Sequence, residues 1–558
     1  MQANTEAGTE HQTWWAQKDT PVHMDSRVAY LIDGRQTMFT MALHYLQASK
    51  YIYIANWGIT PSMELVRGID RLAGDENSPE RKALLEELHL AGLNEQDIAF
   101  WLGNDLSFKS VLNYAISKGV EVKVLLWDCP EAFSHYSPHS AANELLEAGI
   151  HCVLDNSSFN IQHPSESLHQ KISIVDGTHG FVGGVDPLIE NDGDYDRWDT
   201  TSHQFATPLR QNAEGHTPHP WHDVHCLIEG PAVQDVEHNF RQRWNDVVDR
   251  MHYDVKMIVP VHGEPAPLKS TSTIQIARTI PANTYQFDEA GIHGIAELYA
   301  NALRNIKDFL YMENQYFWLQ AFMGFNLPFG FASPDMEYNL QKIVEALHQG
   351  VKVAIVLPDH PNVGRALTDT SIQRIRDEAP EAVTEGRFHA YCLATCEQIE
   401  DTTHYRPIYV HAKIAIIDDC WSTAGSANLN NRGMRDDAEL NIAVLDSHKA
   451  ETLRMLLWSE HLGLYNEEEM FAVTRFLGRQ HQVRREDVRA RRIYSHMRKA
   501  LGDPIKGLQM LNERAQDNLV RYKNKQPLIG HLLPYLTGAE ATAEGFNYRE
   551  THGWLEEE

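Results

Sequence analysis

Cysteine is scarce in this chain: six in 558 residues, at Cys129, Cys152, Cys226, Cys392, Cys396 and Cys420. Only Cys392 and Cys396 lie close, and no second pair completes a zinc set. Reduced, mostly buried thiols are therefore expected rather than a disulfide scaffold. Positive charge is also short, 49 Lys and Arg against 77 Asp and Glu, a net charge of −28. So acidic a chain has no global field to hold a polyanion, which argues against nucleic acid as a partner. An anionic bilayer would repel it; a zwitterionic one would not. Long apolar runs are missing, and no stretch approaches the length of a membrane-spanning helix, so any membrane contact must be peripheral. Residues 1–19 have neither a basic nor an apolar region of the kind a Sec-type signal peptide needs. With 42% hydrophobic and 23% charged residues, the composition is that of an ordinary soluble globular protein.

Histidine is abundant, at 30 residues, and the chain repeats itself. Residues 50–56 (KYIYIAN) resemble 308–314 (DFLYMEN), and 119–128 (GVEVKVLLWD) resemble 350–359 (GVKVAIVLPD). The sharpest pair is HQKISIVD from His169 to Asp176 and HAKIAIID from His411 to Asp418. Both lead to a turn of small residues, Gly183-Gly184-Val185-Asp186 and Gly425-Ser426-Ala427-Asn428. The repeat is too long for a solenoid and implies two similar lobes facing each other. Short Val- and Ile-rich runs read as buried strands, and amphipathic stretches such as 291–307 read as helices. The expected fold is α/β, with two lobes of mixed sheet flanked by helices. The expected division is a leader at 1–26, a first lobe at 27–270, a second at 271–475 and a helical C-terminal extension at 476–558. The junction at 259–281 holds a strand-like 273–277.

Side chains alternate along a strand, so His169 and Lys171 share one face, as do His411 and Lys413. Asp176 and Asp418 have the opposite parity. They read as structural carboxylates tying the strand end to its neighbours, not as partners of the imidazoles. Two histidines and two lysines converging on one point suit a phosphodiester. The ammonium groups offset charge on the non-bridging oxygens. One neutral imidazole attacks phosphorus and the other, protonated, donates to the leaving oxygen. Nothing in this chemistry calls for a metal or another cofactor. Chemistry alone allows either histidine to be the nucleophile.

These segments resemble the His-x-Lys-x4-Asp motif of the phospholipase D superfamily, in particular phospholipases D of the eukaryotic-like type. Residues 181–186 with Arg197-Trp-Asp-Thr200 are similar to that family's glycine turn and downstream motif. Residues 220–225 (PWHDVH), Gly230-Pro231, 240–244 and Glu313-Asn-Gln-Tyr-Phe317 match it too. The resemblance runs from about residue 27 to 470. It implies a pseudo-two-fold fold, His169 as nucleophile and His411 as acid/base. It also implies an acidic residue some 25–30 positions downstream holding each imidazole, here Asp199 and Glu439. Asn428 matches the phosphate-binding Asn, and Ser426, Gly184 and Gln315 complete the expected substrate-binding set. Asp186 is the first-repeat counterpart of Asn428. An anionic Asp should not touch a phosphate, so the two half-sites should differ there.

The activity this implies is hydrolysis of the distal phosphodiester of a glycerophospholipid to phosphatidic acid and a headgroup alcohol, with transfer to added alcohols. Cardiolipin-type phosphatidyl transfer is the alternative. The expected partner is a phospholipid surface, with the chain a monomer. Its setting is cytoplasmic or peripheral to a membrane. An exported antibacterial or anti-host effector, using a route such as type VI secretion, would add an immunity or delivery protein. Only about 26 residues precede the first lobe, so the calcium-dependent and phosphoinositide-binding modules of plant and animal members are not expected. Three weaker signals remain. Asp192-Gly-Asp-Tyr-Asp196 opens like a calcium loop, but Arg197 and His203 stand where Gly and Glu are required. The aromatic stretch 318–331 reads either as an acyl-chain entrance or as a buried loop. The basic run around Arg484, Arg485, Arg489, Arg491, Arg492, Arg498 and Lys499 reads as a solvated helix face, or as a membrane or partner patch.

Overall fold

The computed structural model describes residues 13–556 except 73, 131–135, 158–165, 191–194, 213–216, 270, 322–330 and 479–486. Its core is a strand order used twice. In the first lobe, Tyr51–Asn56 pairs in parallel with Glu121–Trp127, and that strand with His151–Asp155. On its other side Tyr51–Asn56 runs antiparallel to Ile172–Val175, followed by His179–Gly183, Val224–Glu229 and Val22–Ile32. The second lobe repeats this. Phe309–Glu313 pairs in parallel with Lys352–Val356 and then Phe388–Ile399. Antiparallel to it run Ile414–Ile417, Trp421–Gly425, Glu439–Leu445 and Ser272–Ile280. Strands buried on both faces should be apolar without alternation. Ile172–Val175 and Ile414–Ile417 are indeed buried at every position.

The lobes join through Val22–Ile32, which pairs with Val224–Glu229 of its own lobe and, at its start, with Ser272–Ile280 of the other. One expected boundary shifts accordingly. The first lobe's sheet begins at Val22, not after residue 26, and the strand-like 273–277 lies within Ser272–Ile280, a strand of the second lobe, whose expected start is 271. Described residues of the expected leader pack on the second lobe. Trp14 stacks on Trp421, Gln275 donates to the carbonyls of Ala16 and Thr20, and Asp19 pairs with Arg278 at 2.6 Å. One apolar cluster draws on both lobes and the C-terminal helices.

The extension contains helices Asp487–Leu501 and Pro504–Lys523, with Asp503 capping the latter from Oδ1. It is not wholly helical: Leu532–Pro534 adds a strand antiparallel to Tyr391–Leu393. The Trp554 side chain is buried in the second lobe's core, and its backbone N–H donates to Asp359 Oδ2. Three basic side chains of the run have partners within the molecule: Arg489 reaches Glu469, Arg498 reaches Glu451, and Arg491 lies over the Phe476 ring. Arg484 and Arg485 lie outside the described residues, as do Asp192 and most of the aromatic stretch. At the ends of that stretch Trp318 is buried and Phe331 is exposed. Asp196 is taken up by Arg67 and by the N–H groups of Trp198 and Gln211. All six cysteines are free thiols.

Candidate active site

Each His-x-Lys segment lies just ahead of its strand and is held by the backbone of the opposite lobe. His169 N donates to Ala438 O at 2.9 Å, and Ala438 N to Ser167 O at 2.8 Å. Reciprocally, Trp221–His222 and Tyr409–Val410 pair in parallel, and His411 N donates to His222 O at 2.8 Å. The residue after each docking point supplies a carboxylate. Glu439 Oε1 lies 2.9 Å from His169 Nδ1, and Asp223 Oδ2 lies 2.6 Å from His411 Nδ1. The imidazoles face each other with centroids 6.5 Å apart. With each Nδ1 donating to a carboxylate, each Nε2 stays unprotonated and free to act on a substrate.

This arrangement corrects the expected pairing of each acid with the histidine of its own repeat: Glu439 holds His169, not His411. Asp199 touches neither imidazole. Its carboxylate receives Arg210, His203 Nδ1 and the N–H groups of Thr200 and Trp221. The acid on His411 is Asp223, and the acids are exchanged between lobes: each repeat's acid serves the other repeat's histidine. The register identifies Asp223 as the counterpart of Glu439. Gly184 N donates to Val224 O as Ser426 N donates to Leu440 O, so Asp223 and Glu439 occupy the same register position, one residue before Val224 and Leu440. In the first repeat a long segment carrying Asp199 and His203 separates the glycine turn from that strand, which defeats a search by fixed spacing. Matching the turn to its paired strand would have found Asp223.

Lys171 Nζ donates to His169 O at 2.8 Å and lies 3.2 Å from Asp186 Oδ2. Lys413 donates to His411 O and lies 3.3 Å from Gln315 Oε1, which also receives Asn428 Nδ2 at 3.1 Å. The half-sites thus differ at Asp186 and Asn428: one lysine has an anionic neighbour, the other a neutral amide pair. They differ again beside the acids. Ser426 Oγ donates to Glu439 Oε2 at 2.5 Å, whereas a Cβ on Gly184 would fall 2.0 Å from Asp223 Oδ1. Asp176 and Asp418 lie at the far strand ends. Asp176 receives the N–H groups of Ser49, Lys50 and Tyr51, and Asp418 those of Lys307, Asp308 and Phe309.

Burial, together with Lys171, Lys413 and Arg432, holds the His169 imidazole well below its usual range. Burial with Lys413, Lys171 and Arg197 does the same to His411. Both are neutral at pH 7 before an anion enters. Burial also pushes Lys413 down to about 7 against the pull of Asp223, and lifts Asp223 to about 6 against Lys413. Three residues with no expected role shape the pocket. Trp221 packs on His411 at 4.7 Å and stacks on Tyr409 at 4.5 Å. The Arg197 guanidinium lies 3.7 Å from the Trp221 ring centroid. Arg432 is held by Asp437.

A family model described as phospholipase D matches residues 180–377, and one described as cardiolipin synthase, PLD-like domain, matches residues 321–459. Phospholipase D alpha 1 of Zea mays is 26% identical, aligned over 89% of this chain and 69% of its own length. Its namesake in Arabidopsis thaliana is 26% identical over 75% of this chain and 63% of its own length. The Carica papaya protein is 27% identical over 65% and 59%. The chain thus spans about three-fifths to two-thirds of these relatives. Among solved structures, phosphatidylserine synthase of Haemophilus influenzae Rd KW20 aligns with TM-score 0.44 and 12% identity, over 91% of this chain and 97% of its own. The phospholipase D family member Nuc from Salmonella typhimurium aligns with TM-score 0.21 and 16% identity, over 33% and 90%. With its paired motifs, the two family models and these curated relatives, the chain belongs to the phospholipase D superfamily.

Proposed function

We propose that the chain is a phospholipase D that cleaves the distal phosphodiester of glycerophospholipids through a phosphohistidine. The observation that carries this reading is the facing imidazole pair, each with Nδ1 on a carboxylate and with two lysines alongside. The lysine and Asn428 donors offset charge on the non-bridging oxygens of a phosphodiester lying between the imidazoles. That anion relieves the field that keeps His411 neutral, so His411 holds a proton in the complex. His169 Nε2 attacks phosphorus, the bond to the headgroup oxygen breaks, and that oxygen takes the proton from His411. Neutral His411 then accepts a proton from water as the water attacks phosphorus. The N–P bond breaks, leaving phosphatidic acid, neutral His169 and protonated His411. The His169 side chain is 15% exposed and that of His411 8%, which favours His169 as the group that meets the incoming phosphorus.

An alcohol in place of water gives a phosphatidyl-alcohol by the same two steps, so phosphatidyl transfer to a lipid alcohol is the second reading. The cardiolipin synthase description of the model matching residues 321–459 favours keeping it. The deciding experiment is incubation with phosphatidylcholine vesicles, with and without phosphatidylglycerol, and analysis of headgroup and lipid products. Choline and phosphatidic acid support the lipase. A product in which phosphatidyl groups are joined to phosphatidylglycerol, without phosphatidic acid, supports the transferase. Absence of both, from protein that is folded, overturns both.

A further inference from the structure

Behind the Asp223 backbone, outside the catalytic pocket, lies a second group of ionisable side chains that the proposed reaction does not use. Asp33, His203, His222, Glu313, Glu460 and His461 are all at most 1% exposed. So much ionisable chemistry in a dry core requires compensation.

Four side chains, Asp33, His203, His222 and Glu460, converge there. His222 Nδ1 lies 2.8 Å from Glu460 Oε1 and 3.1 Å from Asp33 Oδ1, and His203 Nε2 lies 3.0 Å from Glu460 Oε1 and 3.5 Å from Asp33 Oδ2. A tetrahedral ion with bonds of about 2.0–2.1 Å sets its ligands about 3.3 Å apart, close to these separations. Two further observations point to a cation. Asp33 Oδ2 and Glu460 Oε2 are buried carboxylate oxygens without a hydrogen-bond partner among the described residues. Each of the two imidazoles also has its other nitrogen on a carboxylate: His203 Nδ1 on Asp199 at 3.0 Å and His222 Nε2 on Glu313 at 2.7 Å. In the neutral imidazoles that outer arrangement leaves His203 Nε2 and His222 Nδ1, here hydrogen-bonded to Glu460 Oε1 and Asp33 Oδ1, to serve as ligands in place of those hydrogen bonds, as at metal-bound histidines. Glu313 is itself held by Tyr311 and His461.

We propose that Asp33, His203, His222 and Glu460 form a metal site that holds one divalent transition-metal ion of the zinc type. Mixed imidazole and carboxylate donors select such an ion over Ca2+ or Mg2+, which take oxygen ligands. His222, Glu313 and His461 also converge, but they offer only three donors and no unpaired carboxylate oxygen. The ion fastens four parts of the chain: the start of helix Asp33–Gln47, the segment inserted in the first repeat, the docking strand Trp221–His222, and the end of helix Ser447–His461. It also braces the catalytic acid, because Asp33 and Asp223 exchange backbone and side-chain hydrogen bonds, Asp33 N to Asp223 O at 2.9 Å and Asp223 N to Asp33 Oδ1 at 3.1 Å. Asp199 gains a role here, orienting a ligand of the metal.

The test is elemental analysis of the full-length protein purified without added metal, with its melting temperature before and after stripping with dipicolinate. One zinc per chain is expected, with a fall in Tm on stripping that one equivalent of Zn2+ restores. Glu313→Gln and Asp199→Asn should retain the site with affinity for Zn2+ about 10–100-fold weaker; Glu460→Gln should lose most of the ion. Wild-type protein with no stoichiometric metal, whose Tm ignores both chelator and Zn2+, would overturn the site and leave two imidazolium ions as the counter-charges. Restoration by Ca2+ alone would overturn the assignment of the ion. None of these readouts depends on phosphodiester cleavage.

Discussion

His411 and Asp223 stand 188 residues apart in the chain, yet Nδ1 of one lies 2.6 Å from Oδ2 of the other. Removing that acceptor while keeping its shape should favour the wrong imidazole tautomer. Asp223→Asn is expected to lower kcat about 10³–10⁴-fold with little change in KM. Asp199→Asn should lower kcat far less and act mainly on stability, through Arg210 and His203. Steady-state kinetics and melting curves on both variants check the contrast; equal kcat losses would remove the distinction drawn here.

The division of labour between the histidines has its own test. An activated leaving group such as p-nitrophenolate departs without a proton. In a single turnover, before the step in which His411 activates water, His411→Ala should therefore release p-nitrophenol from a p-nitrophenyl phosphodiester far better than it releases choline from phosphatidylcholine. His169→Ala should fail on both. The reverse pattern would exchange the two roles.

A bell-shaped pH profile follows from two buried groups. As pH falls through about 6, Asp223 takes up a proton and no longer accepts from His411; as pH rises through about 7, Lys413 loses its charge. The quantity kcat/KM, measured on a soluble short-chain substrate, should decline on both sides of that interval. Bound phosphate favours the charged lysine, so the alkaline limb of kcat should lie above that of kcat/KM.

Most of this site was legible in the sequence. The paired His-x-Lys segments announced the chemistry, and their spacing to the small-residue turns announced the duplication. The strands followed from unbroken Val- and Ile-rich runs. Two features escaped. Asp223 was hidden because the segment inserted after Asp186 lengthens the path from histidine to acid in one repeat only; strand register, not spacing, carries that information. The cluster of Asp33, His203, His222 and Glu460 was hidden because its members come from four distant places that only the packed lobes bring together.

The turns beside the acids should respond unequally. Gly184→Ala places a methyl group where Asp223 Oδ1 lies, so a loss of more than about 100-fold in kcat is expected, comparable to a misplaced catalytic group. Ser426→Ala removes one hydrogen bond to Glu439, whose carboxyl is held well above the usual range by burial, and at about 0.5–1.5 kcal/mol this corresponds to roughly 2–13-fold. The same kinetic assay on both variants measures the difference.

Ethanol added to the phosphatidylcholine assay should divert part of the product to phosphatidylethanol, because the acceptor enters only after the headgroup has left. Phosphatidic acid alone, at high ethanol and undiminished headgroup release, would argue against a covalent intermediate.

The crossed docking of His169 on Ala438 and of His411 on His222 has a bearing on how such a chain can change over time. Neither half keeps a complete set of its own: each lends its acid and its docking strand to the other. A deletion that dissolved the duplication would strand the surviving histidine without an acceptor, and a drift in the packing angle between the halves would disturb both histidines at once. The two copies are free to diverge in their loops, as the insertion in the first repeat demonstrates, but the seam between them is bound to change as a unit.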